Sequence, residues 1–543
     1  MDKPTTLNIS FAVINRKRRR GIKLRRRIGL VYLPGALPCF EDFGNLPTDL
    51  VREDGTVDGK PASEALDMII IPGGSLVESR SINDTIIREI RKMADDSKFV
   101  LGICSGFQIL AKDTDIGRLS ATPILREGLG LLDAEFKPLI CTDRVKATVV
   151  GKSFLTYRIG GEVAGFHCHT YGKIVLGKGA KPILVSHAQR VNYHTDPQDL
   201  VSGIANKKGN VVGVTVHALL DRNPLIIQGI TKSLDISPEE LQEIRAANAK
   251  LLTDIKSEVG ISTSFRSQGG VRKADEPAVL LITATGSGAG KTFIVTGVAG
   301  ALKKRGVKLG LMKVGGDIRD SVPALYLIKE PIRNYSSIKV GRSGWKPFSE
   351  AVKEAEKDYD LILIEGAMSA FTGFLNENVK RPSSTAEVAA ALGAPTIVVV
   401  GCEKEGIEGA LVNTLNYVDL MRRLGINVSG VILNKVRTSY LTNEIRLFMA
   451  KAFANVGVKL LGVVPRVELE GRGTIPEVEI RYEEFGAKAI ETAESSIDLD
   501  ALKALAMPPR IHAVDYEALT EKFKKLLTTD FRPNLGGRGE NCL

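Results

Sequence analysis

The chain has 543 residues, 43% of them hydrophobic and 25% charged, the composition of a globular protein with a sizeable core, and at roughly 150 residues per domain it holds two to four domains. No apolar run approaches the ~20 residues of a membrane span, and the N-terminus has no signal-type apolar stretch, so no membrane partner is expected and the location is read as cytoplasmic. The net charge is +11, but nine positive charges fall within residues 16–27 and leave the remainder near +2. That distribution argues against a nucleic-acid-binding body, and the basic run is read as an N-terminal extension over 1–27 rather than as a tether to an acidic surface.

In chain order, the first strand is expected over 28–33, just past the basic run. The β-branched run Met68–Ile71 ends in Pro72–Gly73–Gly74, residues 82–93 read as an amphipathic helix, and Phe99–Ile103 is a further short apolar run that ends at Cys104. Short apolar strands alternating with amphipathic helices predict a mostly parallel sheet with helices on both faces. A charged helix opens at Ser237–Pro238–Glu239–Glu240, and the polar, Gly/Ser-rich stretch 261–276 has linker composition. A second alternation follows, with strands expected over 279–283, 309–314, 361–364, 395–400, 428–433 and 459–464. The reading is α/β throughout, with two such domains at 28–260 and 277–530 and a flexible tail at 531–543. The six cysteines include no CxxC pair, so neither zinc nor a disulfide framework is expected.

Residues 101–110 read LGICSGFQIL, which sets Cys104 at a sharp turn between a buried strand and a helix. A helix N-terminus lowers a thiol pKa, and the same turn aims the Ser105 amide at a developing oxyanion. Gly73 and Gly74 are the expected source of a second donor, since glycine brings a backbone N–H close with no Cβ in the way. The thiol needs a base, and His217 stands at the end of the β-branched run in GNVVGVTVHALLD. His167 and His169, in GFHCHTYG, are the second candidates; His187, His194 and His512 read as structural. The set PGG, GICSGFQIL, GFHCHTYG and GNVVGVTVHALLD resembles the class I glutamine amidotransferase domain of the cobyric acid synthase and cobyrinic acid a,c-diamide synthase family. The resemblance implies Cys104 as nucleophile and His217 as its base, puts His169 on an accessory motif histidine, and makes L-glutamine the nitrogen donor. No acidic third member is evident. Ser105 and Ala218 stand where the family more usually has glycine.

After the strand VLLIT comes ATGSGAGKT, residues 284–292, and then a helix. Gly286, Ser287, Gly288, Ala289 and Gly290 would curl backbone amides around phosphates, Lys291 would neutralise them, and Thr292 would hold Mg²⁺. Glu365, at the end of LILIE, is a further Mg²⁺ candidate. This loop is similar to the GTTSDAGKS-type loop of the same synthases. The resemblance implies ATP as substrate with Mg²⁺, places Asp317 at the metal with Asp320 beside it, puts Ser384 and Thr385 near the substrate, and has Asn434 reading the adenine edge. The implied activity is ATP-dependent amidation of carboxylates through an acyl phosphate, on a corrinoid, a related tetrapyrrole or another polycarboxylate. In the familiar synthases the P-loop domain comes first; here the order is reversed. A competing reading, a MinD-like ATPase with a regulatory amidase domain, predicts a second lysine early in the loop and an amphipathic tail, and the sequence has neither. A homodimer is compatible with the pattern without being required by it.

Overall fold

The computed structural model describes residues 24–33, 41–74, 82–157, 159–258, 277–375, 380–469 and 480–528. The linker composition at 261–276, the tail and residues 16–23 of the basic run lie outside the described residues. Arg25, Arg26 and Arg27 do not belong to a loose leader. They pair with Asp235, Asp67 and Asp49, so these three arginines are part of the folded body.

The N-terminal domain is built on a nine-stranded sheet. Its strands are β1 (Ile28–Val31), β2 (Asp49–Val51), β3 (Met68–Ile71), β4 (Phe99–Ile103), β5 (Arg144–Val149), β6 (Glu162–Phe166), β7 (Lys181–Val191), β8 (His194–Ala205) and β9 (Val211–Val214), in the order β6-β5-β7-β8-β9-β4-β3-β1-β2. The strands β2, β1, β3, β4 and β9 pair in parallel, as continuous apolar runs predict. All four residues of β3 are 0% exposed, and at about 1.5–3 kcal/mol per buried side chain such strands supply much of the core. Beyond β9 the pairing turns antiparallel through β8, β7, β5 and β6, an extension with the alternating burial of a half-exposed sheet. The β7–β8 hairpin turns at Asn192 and Tyr193, both at positive φ, as a two-residue turn matched to strand twist requires.

The C-terminal domain has seven parallel strands, β10 (Ala278–Ala284), β11 (Leu309–Val314), β12 (Ser337–Ile338), β13 (Leu361–Glu365), β14 (Thr396–Gly401), β15 (Val428–Val436) and β16 (Lys459–Pro465), in the order β12-β11-β13-β10-β14-β15-β16. The strands expected from sequence fall within a residue or two of these, except that β15 runs three residues further. The order reverses around β10, so the loop after β10 opens at a topological switch point, where ligands of such sheets bind. No helix among the described residues is long and apolar enough to cross a membrane.

Candidate functional site

Cys104 follows β4 and precedes the helix Ser105–Leu110, with φ 51° and ψ −110°. This is a strained backbone for a residue with a Cβ, and it turns the thiol out of the sheet. The flanking glycines permit the turn. A Cβ on Gly106 would lie 2.1 Å from the Ile71 carbonyl oxygen, and one on Gly102 2.6 Å from that of Gly106. Gly73 leaves room on the other side, since its Cβ would stand 3.0 Å from His217 Cε1 and 3.1 Å from Cys104 Cβ.

His217 lines the same small cavity as Cys104, whose Sγ lies 3.8 Å from the Cys168 carbonyl oxygen, and the histidine's Nδ1 lies 2.8 Å from Glu41 Oε1, with histidine and glutamate both about 2% exposed or less. Burial alone would lower the His217 pKa, but the Cys104 thiolate and the Glu41 carboxylate outweigh it and push it up to about 10. The arrangement sets an imidazole of raised pKa between a thiol and a buried carboxylate. Glu41 is the acidic third member that the sequence did not reveal. Its only local signal is its place in the loop that follows the first strand of a parallel sheet, where catalytic side chains gather. Behind it, Asp221 accepts from the amides of Asp42 and Gly44, and burial and then the nearby Glu41 push its pKa up to about 6. Phe166 fixes the His217 ring from the side, stacked at 5.3 Å and 16°. Ala218, where glycine is usual, adopts φ 54°, which explains the preference for glycine there.

The donors differ in detail from expectation. Gly74 N–H donates to Ser105 Oγ at 2.8 Å, so the hydroxyl at this position occupies the second oxyanion donor. His167 and His169 pack 4.7 Å apart and are fully buried. Burial lowers both pKa values, that of His167 to about 4, so both are neutral. His169 Nδ1 lies 3.3 Å from the Leu139 carbonyl, and the ring seats against Gly172; it holds the wall of the site rather than joining the dyad. Burial likewise pushes the thiols of Cys141 and Cys402 up, to about 12 and 11, which leaves them inert. A hollow of about 610 Å³ beside Arg126 and Gln108 is lined by none of the reactive residues, whereas a cavity of only about 30 Å³ is lined by Gly74, Cys104, Cys168 and His217 together with Arg319, Val322 and Tyr482 of the second domain.

In that domain the loop 285–290 leads into the helix Lys291–Lys304. Gly288 and Gly290 take φ 79° and 82°. Thr292 Oγ1 donates to Glu365 Oε1 at 2.9 Å, and Lys291 Nζ lies 3.3 Å from the same oxygen. The other oxygen, Oε2, is buried with no hydrogen-bond partner among the described residues. A buried carboxylate oxygen beside a threonine hydroxyl at the foot of a phosphate-type loop fits a hard divalent cation or its water. Lys313, which the sequence reading passed over, is buried between Asp320 at 2.7 Å, the Gly366 carbonyl at 2.9 Å and Glu365 at 3.6 Å. Its only signal was a lysine closing the apolar strand LGLMKV.

The structure redistributes the remaining expected residues. Asp317 is not at Thr292 and Glu365; its two oxygens are clamped by Arg319 Nε and Nη2 at 2.8 and 2.6 Å. Asp320 is the carboxylate that faces the lysines, which hold its pKa down against burial. Asn434 does not stand free to read a base. Its Nδ2 donates to the Ala289 carbonyl at 2.8 Å, and a Cβ on Gly290 would meet it at 2.3 Å; it is a strut under the loop. Ser384 caps the helix Thr385–Leu392, sharing Glu387 in a capping box. Thr385 Oγ1 accepts from Ala367 N at 2.9 Å, which ties it to the residue two after Glu365 and commits its hydroxyl to the backbone rather than to a substrate.

Residues 19–225 match the model of the CobB/CobQ-like glutamine amidotransferase domain, and residues 280–473 that of the CobQ/CobB/MinD/ParA nucleotide binding domain. Hydrogenobyrinate a,c-diamide synthase of Mycobacterium tuberculosis is 34% identical over 198 residues, which is 36% of this chain and 41% of that protein. Cobyrinate a,c-diamide synthase of Dehalococcoides mccartyi is 30% identical over 42% of this chain and 48% of its own length. The hydrogenobyrinate a,c-diamide synthase of Streptomyces coelicolor is 32% identical over 42% and 46%. The chain thus spans less than half the length of each of these three relatives.

Proposed function

We propose that this chain, whose first domain matches the CobB/CobQ-like glutamine amidotransferase domain and whose second matches the CobQ/CobB/MinD/ParA nucleotide binding domain, is an ATP-dependent carboxylate amide ligase that draws ammonia from L-glutamine. The observation that carries the reading is the line Cys104–His217–Glu41, closed by a cavity whose far wall belongs to the P-loop domain.

The Cys104 thiolate attacks the glutamine side-chain amide carbon. The oxyanion so formed needs donors: the Ser105 amide would supply one, and Gly74 N–H, which donates to Ser105 Oγ, would supply the second once that hydroxyl turns aside. Collapse to the thioester expels ammonia, which takes its proton from the His217 imidazolium. His217, now neutral, removes a proton from water, the resulting hydroxide attacks the thioester, and glutamate leaves with the thiolate restored. Glu41 holds the imidazole in one orientation and offsets its charge throughout.

In the second domain the loop amides and Lys291 would bind the ATP phosphates, and Thr292 and Glu365 would hold Mg²⁺, which neutralises phosphate charge when bound. An acceptor carboxylate oxygen takes the γ-phosphoryl group and ADP leaves; ammonia then displaces phosphate from the acyl phosphate and leaves a carboxamide. By the resemblance of the relatives the acceptor is a polycarboxylate of the corrinoid or related tetrapyrrole class. Ammonia must reach the acyl phosphate unprotonated, and the shared cavity supports a route that bypasses bulk water.

The test is a mass-spectrometric screen with ATP, Mg²⁺, glutamine and candidate polycarboxylates, which reads the conversion of acid to amide. Cys104→Ala abolishes glutamine consumption and spares ammonia-dependent amidation. A Cys104→Ala variant that still releases glutamate refutes the assignment of the nucleophile.

A further inference from the structure

Three side chains stitch the two domains together around the reactive thiol. Arg319, in the turn Ile318–Ser321 after β11, is 3% exposed. Its Nη1 donates to Thr170 Oγ1 at 2.7 Å and its Nη2 to Tyr193 Oη at 2.7 Å, both in the amidotransferase domain. Arg190 of β7 reaches back to Ser343, whose Oγ accepts from Gly316 N at 2.8 Å. Trp345 donates from Nε1 to the Thr142 carbonyl at 3.1 Å and packs 5.2 Å from Phe166, the ring that stacks on His217.

Arg319 stands at the meeting point. On one side it lines the cavity that holds Cys104 and His217. On the other it is clamped by Asp317, and the next residue, Asp320, is paired to Lys313. Lys313 and Lys291 share Glu365. Charged contacts therefore run from the phosphate-binding lysine through Glu365 and Lys313 to Asp320, and the single backbone step from Asp320 to Arg319 joins them to the wall of the thiol cavity. A buried arginine with four hydrogen bonds is expensive to displace piecemeal, because each unmet donor costs desolvation. It has one arrangement or another, not a continuum. Tyr193 supports the same reading, because it is a tyrosine held at φ 69° in a hairpin turn that glycine or asparagine would fill with less strain.

We propose that Arg319 couples the two sites: clamped by Asp317 it stoppers the cavity beside Cys104 on the synthetase side, and charge arriving at Lys291 and Lys313 shifts the 317–320 turn and draws it back, so that glutamine hydrolysis and the release of ammonia into the second domain follow occupancy of the nucleotide loop. This rests on the amidotransferase reading above and adds to it a positioning residue and a direction of control.

The experiment uses the full chain. Glutamate release from L-glutamine is measured with and without a non-hydrolysable ATP analogue and Mg²⁺, nucleotide binding is followed separately by calorimetry, and Trp345, the one tryptophan of the sequence, reports the interface by its emission. In the wild type, nucleotide raises glutamate release at least about fivefold, the low end of ordinary inter-site coupling, and shifts the emission. In Arg319→Ala the stopper is gone, so glutamate release without nucleotide rises toward the stimulated rate, nucleotide still binds, and both responses to it fall below about twofold, under that same range. Asp317→Asn removes the clamp without opening a cavity. It raises the nucleotide-free rate toward the stimulated one, and it decides the matter if Arg319→Ala does not fold. A wild type that hydrolyses glutamine and binds nucleotide with neither affecting the other overturns the coupling alone, as does an Arg319→Ala variant with full stimulation or an Asp317→Asn variant with wild-type behaviour. A wild type that neither releases glutamate nor binds nucleotide overturns the amidotransferase reading itself, and the coupling with it.

Discussion

Replacing Glu41 by glutamine tests the triad with the least change in shape. Glutamine keeps the volume and can still accept from His217 Nδ1, so the ring orientation survives while the charge is lost. At 2.8 Å between buried groups, a full ion pair at an effective dielectric of 20 is worth about 6 kcal/mol, an upper bound. Because the hydrogen bond remains in neutral form, the loss is nearer the ~1–1.5 kcal/mol that separates a charged from a neutral hydrogen bond. At about 1.4 kcal/mol per factor of ten, glutaminase kcat in Glu41→Gln falls about 5- to 10-fold. The pH profile moves as well. With Glu41 neutral, one of the two groups that raise the His217 pKa to about 10 is gone. The imidazolium then loses its proton at lower pH, and the alkaline limb of the rate shifts down. Asp221, whose pKa Glu41 helps to raise, titrates lower. The assay is initial-rate glutamate release across pH, with ammonia-dependent turnover as the control that must not move. A Glu41→Gln enzyme within about twofold of wild type, with an unshifted alkaline limb, refutes the reasoning, since the charge would then contribute less than the weakest charged hydrogen bond.

Asp221 sets a stability slope. Its folded pKa is raised from 3.8 to about 6, so the folded state binds the proton more tightly than the unfolded chain, and stability falls as pH rises through that window, by up to about 3 kcal/mol. Urea unfolding at a series of pH values shows this loss in the wild type and a flatter profile in Asp221→Asn. Gly106→Ala drives a Cβ into the Ile71 carbonyl and costs about 3 kcal/mol or more, whereas Gly286→Ala meets nothing within 4 Å and leaves stability within about 0.5 kcal/mol; thermal unfolding separates them. Asn434→Ala strips the Ala289 carbonyl of its buried donor and weakens ATP binding about tenfold. As a strut it should weaken GTP equally; a change in ATP-over-GTP preference by calorimetry would mean that Asn434 reads the base after all.

Much of the fold was legible because its signals are local. Four-residue runs such as Met68–Ile71 bury every side chain and so declare parallel strands wherever they sit. Cys104 and the loop 285–292 could be found for the same reason: a thiol at a strand-to-helix turn and a phosphate cradle are each built from consecutive residues, with glycines where no Cβ fits. The antiparallel strands β5 to β8 were not legible, since half-exposed alternation over polar sequence blends into loop composition.

Sequence by itself singled out the candidates for the chemistry: a thiol at a strand end, a histidine after another strand, a phosphate-type loop and their order along the chain. Tertiary structure alone decided which carboxylates serve them. Glu41 reaches His217 across 176 residues, and Arg319 reaches Thr170 across 149, and no periodicity records such distances. Asp317 and Asp320 lie three apart in one motif, yet the short turn sends the first to Arg319 and the second to Lys313. The physical reason is common to both. A buried charge is tolerable only where an opposite charge or a set of donors meets it, and that partner is chosen by how separate strands end against one another, which a linear chain does not display.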